Sequence, residues 1–174
     1  FAAAAAMSEV AAFARLAERL ADAARPITLA HFRAGVAYDV KADTSPVTVA
    51  DREAEAVMRA MIADACPAHG ILGEEEDAVP GDGEFTWVLD PIDGTRAFIT
   101  GLPLWGTLIA LNDGAGPVLG VMNQPFTGER YTGGGGAWRN GEPIRARRCA
   151  GLREARIMCP SPARFDTPAR PAGF

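Results

Sequence analysis

Phe85-Thr86-Trp87-Val88-Leu89-Asp90-Pro91-Ile92-Asp93-Gly94-Thr95 decides how this chain reads, because within eleven residues an apolar, β-prone run becomes an acidic turn and then a helix start. Phe85 to Leu89 predicts a strand. Pro91 fixes the backbone of the following turn, so the carboxylates of Asp90 and Asp93 and the carbonyl between them, that of Ile92, can converge on one point. Gly94-Thr95 then opens a short predicted helix over Arg96 to Thr100. The free N–H groups of its first turn form an anion site that a glycine lets a ligand approach closely. Oxygen donors alone suit Mg²⁺ or Mn²⁺ rather than zinc or copper, and carboxylates this close repel one another unless cations neutralise them. The segment fails the EF-hand template, with Ile92 third and Gly94 fifth.

Upstream, a strand at Ile71-Leu72-Gly73 runs into Glu74-Glu75-Glu76, so a second acidic group also stands at a strand end. Before it, Val10, Phe13, Leu16 and Leu20 form a helical stripe with Ser8 as expected N-cap and Pro26 as expected stop, followed by a short helix to Gly35. Lys41 to Pro46 reads as polar loop. Thr48 with Asp51 is a capping-box variant that opens a helix whose expected inner face is Val57, Met58, Met61 and Ile62, and Cys66-Pro67 ends it. Downstream strands are expected at Thr107 to Leu111, Val118 to Met122 and Arg130 to Thr132, with a tight Asn140-Gly141 hairpin after Ala137-Trp138. Helices first and sequential strands afterwards indicate an α+β arrangement with a largely antiparallel sheet. Residues 1–6, ahead of Met7, read as a cloning remnant and residues 7–150 as the N-terminal α+β metal- and phosphate-binding domain. Residues 151–174, with Ile157 to Cys159 as a first strand, read as the start of a second α/β domain cut short.

The chain has 174 residues, 48% of them hydrophobic, and 22 acidic against 17 basic side chains for a net charge of −5. That is about one globular domain, and its acidic balance argues against a nucleic-acid partner. Cys66, Cys149 and Cys159 have no CxxC spacing and are odd in number, which points to a reducing, cytoplasmic setting without a disulfide framework or zinc ribbon. The longest uncharged run, Ala97 to Asn112, is shorter than the roughly 18 apolar residues of a membrane span, so no membrane partner is expected. Ser8, Ser45 and Ser161 lie outside any GxSxG elbow, His31 and His69 outside any paired spacing, and Gly133 to Gly136 lacks the Gly-Lys-Ser/Thr of a P-loop and reads as a bend between strands. Carboxylate chemistry remains. Its bland alternatives are that a Glu-Glu-Glu run is commonly a solvated turn, that Asp51 in a first helical turn is commonly a dipole partner, and that Asp90 to Thr95 is an Asx-turn.

At these residues the sequence resembles the inositol monophosphatase superfamily of metal-dependent phosphomonoesterases, which carries a Gly-Glu-Glu element, here Gly73-Glu74-Glu75, and an Asp-Pro-Ile-Asp-Gly-Thr element, here Asp90 to Thr95. The resemblance covers residues 12–152, and Lys41 to Asp51 and Gly94 to Thr107 look most like the histidinol-phosphatase branch. It implies a layered α/β sandwich of the sugar-phosphatase type, with N-terminal helices on a mostly antiparallel sheet and an incomplete second domain. It implies that Glu74, Asp90 and the Ile92 carbonyl hold one Mg²⁺ while Asp90 and Asp93 hold another, in a site of two or three ions where Mn²⁺ could substitute. Glu75 would lie nearby. Thr95, hydrogen-bonded to Asp51, would help Glu74 orient and deprotonate the attacking water. The N–H groups of Gly94 and Thr95 would bind phosphate, with Lys41 and Arg96 as substrate or phosphate contacts. The superfamily also takes a metal-binding aspartate from a downstream Trp-Asp element, which this sequence lacks. Phe165-Asp166 lies too close to Asp93 and runs into Pro168.

The expected activity is Mg²⁺-dependent hydrolysis of a small phosphomonoester by metal-activated water, with L-histidinol phosphate ahead of inositol 1-phosphate, in a homodimer. A non-catalytic divalent-cation or phosphate-binding module is the alternative of another class, suggested by the missing aspartate. An electrostatic interaction domain using the arginines from Arg145 to Arg156 ranks below both, since no aromatic residues interleave with them.

Overall fold

The computed structural model describes residues 2–41 and 46–156, with side chains from residue 9 onward. The chain divides into two units, residues 1–144 and 145–174. In the first, α1 (Ala2–His31) and α2 (Val49–Ala65) lie on one face of a seven-stranded sheet. Its strands, in spatial as in chain order, are β3 (Gly70–Gly73), β4 (Thr86–Asp93), β5 (Gly106–Asn112), β6 (Pro117–Gln124), β7 (Glu129–Gly133), β8 (Ala137–Arg139) and β9 (Glu142–Pro143). Only β3 and β4 pair in parallel, and every other neighbour is antiparallel. The layered α+β arrangement and its mostly antiparallel sheet are as the sequence predicts.

α1 departs from expectation at both ends. It starts at Ala2, before Ser8, and does not stop at Pro26. Its buried stripe, Phe13, Leu16, Ala17, Leu20, Ala21 and Ala24, continues past the proline to Thr28 and Phe32. Packing of that stripe on the sheet outweighs the roughly 3 kcal/mol an interior proline costs, and the Thr28 hydroxyl donates to the carbonyls of Ala24 and Arg25 beside the break. Arg130 of β7 reaches back to Asp22 of α1 at 2.6 Å, tying helix to sheet.

β4 shows the alternation of a half-buried strand: Trp87 and Leu89 enter the core below the helices while Val88 and Asp90 face the other way. The register then slips, with Asp90 opposite Leu108 but Asp93 opposite Gly106, so that three steps along β4 match two along β5. This bulge turns Ile92 inward, where it joins Phe32, Ala50, Phe98 and Trp105 in a second apolar cluster beneath the acidic turn. α3 (Thr95–Ile99) follows at once.

A small ribbon of β1 (Tyr38–Val40) and β2 (Pro46–Thr48) takes Pro46 out of the expected loop. The hairpin at Asn140-Gly141 has positive φ at both residues, as the sequence requires, and Gly133 to Gly136 is a bend from β7 into β8. The described part of the second unit holds a short 3₁₀ turn, Leu152–Glu154. The expected strand at Ile157 to Cys159 and the Phe165-Asp166 pair lie outside the described residues. No helix among the described residues is long and apolar enough to cross a membrane.

Candidate active site

The parallel pairing of β3 and β4 builds the site. Gly73 stands opposite Leu89, so Glu74, the first residue beyond β3, comes beside Asp90, which lies within β4 just ahead of its bulge. Their carboxyl groups lie close together, and the Asp90 carboxyl is pushed up to about 8 by burial first, then by interaction with the Glu74 carboxyl and by the charges of Glu74, Asp93 and Asp51. Asp90 Oδ1 is buried with no hydrogen-bond partner. The turn after β3 and the bulged end of β4, remote in sequence, therefore bring acidic oxygens together with one of them unsatisfied.

The surrounding residues hold this arrangement. Asp51, buried in the first turn of α2, accepts from the Thr48 N–H at 2.8 Å and the Thr48 hydroxyl at 2.5 Å. Burial raises its pKa against those two bonds, with the Glu74 charge adding to the rise. Lys41 Nζ donates to Glu75 Oε1 at 2.7 Å and Glu74 Oε1 at 3.2 Å. Burial disfavours the ammonium, yet the bonds and charges of Glu75 and Glu74 carry its pKa above the ordinary value. The Glu75 carboxyl is raised by burial, with Lys41 opposing. On the β4 turn, the Thr107 hydroxyl donates to the Pro91 carbonyl at 2.9 Å and the Thr95 hydroxyl to the Ile92 carbonyl at 3.1 Å. Gly94 adopts φ +90° directly against the Leu104 carbonyl, which a β-carbon would approach to 2.7 Å, so no other residue fits there.

The sequence-predicted residues are thus partly assembled. Glu74, Asp90 and Lys41 are in contact, with Asp51 and Asp93 within electrostatic reach. The implied bond between Thr95 and Asp51 is not made: each has a nearer partner, the Ile92 carbonyl for Thr95 and the cap residue Thr48 for Asp51. Arg96 is exposed on α3 and lines a shallow hollow with Tyr38, Val40, Pro46 and Ile99. Neither histidine belongs to the cluster: His31 pairs with Glu53, and His69 Nδ1 accepts from Trp87 Nε1.

Among the described residues, no three His, Cys, Asp or Glu side chains are drawn together tightly enough to hold a metal ion by themselves. The donor set nonetheless fits a hard cation. Glu74 and Asp90 are all-oxygen donors already in contact, and the orphaned Asp90 oxygen and the raised Asp90 pKa both mark a missing positive partner. Sequence reasoning missed Glu55 and Thr107. Glu55 is fully buried on α2, in the stripe of Asp51, Ala54, Met58 and Ile62, while Val57, expected inside, points outward. The available signal was an acid at a core-facing helical position.

Helices layered on a sheet whose one parallel pair ends in facing carboxylates is the inositol monophosphatase fold. The solved structure of an inositol monophosphatase from Zymomonas mobilis superposes with a TM-score of 0.66 at 51% identity, over 78% of this chain and 53% of that one. The model of the inositol monophosphatase family matches residues 7–168, and the chain belongs to that family. It is 41% identical over 169 residues to the bifunctional phosphatase IMPL2, chloroplastic, of Arabidopsis thaliana, covering 95% of this chain and 49% of that protein. It is 44% identical over 133 residues to the histidinol-phosphatase of Chlorobaculum parvum, covering 75% and 51%. The chain spans about half the length of the curated relatives it matches.

Proposed function

We propose that the protein is a Mg²⁺-dependent phosphomonoesterase and that L-histidinol phosphate is its substrate. The observation that carries this reading is the meeting of Glu74, just beyond β3, with Asp90 of the neighbouring β4, Asp90 Oδ1 being left buried and unpartnered. Glu74, Asp90, Asp93 and the Ile92 carbonyl would hold the ions. Bound there, Mg²⁺, or Mn²⁺ in its place, supplies charge neutralisation for the phosphate and activation of the attacking water.

The remaining roles fall to the chain. Glu74, held by Lys41, takes the proton of the attacking water, since it is the exposed member of the carboxylate pair. The Thr95 hydroxyl and Asp51 orient that water, a role for which each would exchange the partner it has here, the Ile92 carbonyl for Thr95 and Thr48 for Asp51, and the N–H groups of Gly94 and Thr95 bind the phosphate at the start of α3. Lys41 and Arg96 offer positive charge to the ester. Likeness to the family extends the proposal to a cytoplasmic homodimer.

Histidinol phosphate is favoured by the identity to histidinol-phosphatases, and an inositol phosphate is the second reading, favoured by the 51% identity to the Zymomonas mobilis protein. Release of inorganic phosphate by the full-length protein, with Mg²⁺ and each substrate in turn, decides between them. Turnover of neither would leave a non-catalytic cation-binding module.

A further inference from the structure

Glu55 takes no part in the cluster of acids, yet it is the most completely bonded side chain near it. Its carboxylate is fully buried. Oε2 accepts from the backbone N–H of Glu74 at 3.1 Å and of Glu75 at 2.9 Å, and Oε1 accepts from the N–H of Glu76 at 3.2 Å and from Arg59 Nε at 2.7 Å. Arg59 in turn donates to the Glu76 carbonyl at 2.8 Å. Three consecutive amides of the acidic turn therefore close on one side chain. Gly73 completes the cradle, because a β-carbon there would overlap the Glu55 carboxylate and the Arg59 guanidinium.

Stability alone is a weak reason for this device. A buried ion pair is commonly replaceable by apolar side chains of similar volume at no loss, and setting a carboxylate beneath a run of three glutamates adds repulsion. What the arrangement supplies is a fixed backbone for Glu74. We propose that Glu55 is a positioning residue that locks the Glu74–Glu76 turn so that the Glu74 carboxylate is held against Asp90 before a divalent cation arrives. Gly73 is then the partner position whose missing side chain makes room for it. This inference rests on the proposed cation site. The entropy of ordering the turn is met on folding, so less is lost on binding.

The test is a Mn²⁺ titration of the full-length protein, with free ion followed by electron paramagnetic resonance. Glu55→Gln keeps the volume but turns an amide group toward a row of N–H donors. It is expected to weaken Mn²⁺ binding about tenfold or more and to lower kcat more than it raises KM. Gly73→Ala should produce the same loss by displacing Glu55, yet add little in a Glu55→Ala background, where only the flexible end of Arg59, freed of its carboxylate partner, stands in the way. If Glu55→Gln fails to fold, that comparison of Gly73→Ala in the two backgrounds carries the test. Wild-type Mn²⁺ affinity in folded Glu55→Gln or in Gly73→Ala, with only the melting temperature lowered, would overturn the proposal while leaving the cation site standing. A wild-type protein that binds no Mn²⁺ would overturn the site and this inference together.

Discussion

Glu55 and Asp90 are acids on neighbouring elements, and the fold treats them in opposite ways. Around Glu55 every direction is filled by a donor: Arg59 and the amides of Glu74, Glu75 and Glu76. Around Asp90 the neighbours are other acids, and one of its oxygens is buried without a partner. A buried charge that is fully paired needs nothing further from solvent, whereas one that is not must keep a proton or find a cation. The difference separates a scaffold acid from one whose last partner comes from outside.

The contrast breaks most visibly in activity. Asp90→Asn is expected to reduce phosphate release by about 10³-fold or more, since removing a ligand charge costs several kcal/mol of transition-state stabilisation. The same substitution should leave the metal-free fold as stable as wild type or more so, because an amide stays neutral beside Glu74 without having to take up a proton. Glu55→Ala should do the reverse to the fold, costing about 3 kcal/mol in urea unfolding by leaving Arg59 and the turn amides without their acceptor. Equal destabilisation by the two variants in the presence of a chelator would erase the distinction.

The local features of the site were legible because they need no partner. Gly94 acts through its own backbone, and the period-two run expected as a strand over Phe85 to Leu89 does form one, but it starts at Thr86 and continues through Pro91 to Asp93, so that the expected turn is a bulge within the strand. The Thr48-Asp51 box also formed where the spacing placed it. Long-range features were not legible. Nothing in Ile71-Leu72-Gly73 states that it pairs in parallel with β4, and that register is what sets Glu74 beside Asp90. Pro26 reads as a helix stop because the local rule is real, but the sheet beneath α1 overrides it. Glu55 and Arg59 have the i, i+4 spacing of an ordinary solvent-facing pair, and only the turn packed over them reveals a buried one. The Thr95 hydroxyl found the carbonyl three residues back rather than Asp51, a competition that spacing alone does not decide.

A further effect, on the fold rather than on turnover, should appear in the pH dependence of the metal-free protein. Asp90 has a carboxyl near 8 in the fold against an ordinary value of 3.8, so between these limits the folded state holds a proton that the unfolded chain has released. Unfolding free energy should therefore fall as pH rises through that window and level off outside it. Saturating Mg²⁺ displaces the proton and should remove the fall, while Mg²⁺ affinity increases with pH up to about 8. Asp90→Asn should flatten the chelated profile. A slope that survives this substitution would place the titrating group at Asp51 or Glu75, whose carboxyls are shifted in the same direction.

The smallest expected effect tests which side of the comparison Lys41 belongs to. Its ammonium bridges Glu74 and Glu75, and in the metal-free protein it is the one positive group bonded to the proposed ligand Glu74 among the described contacts. If it serves as a stand-in for the cation, Lys41→Met should free Glu74 and tighten Mg²⁺ binding. The gain is limited to a few-fold, because a partly exposed pair of this kind is worth up to about 1 kcal/mol. If Lys41 instead fixes Glu74 in the way Arg59 fixes Glu55, the substitution should loosen Mg²⁺ binding by a similar factor. Glu75 discriminates further: its carboxylate is almost wholly buried and loses its counter-charge in Lys41→Met, so part of the change should vanish in Lys41→Met/Glu75→Gln. Tighter Mg²⁺ binding with slower turnover would assign Lys41 to the ester, since a group that only competes with the ion has no reason to slow the reaction once the ion is saturating.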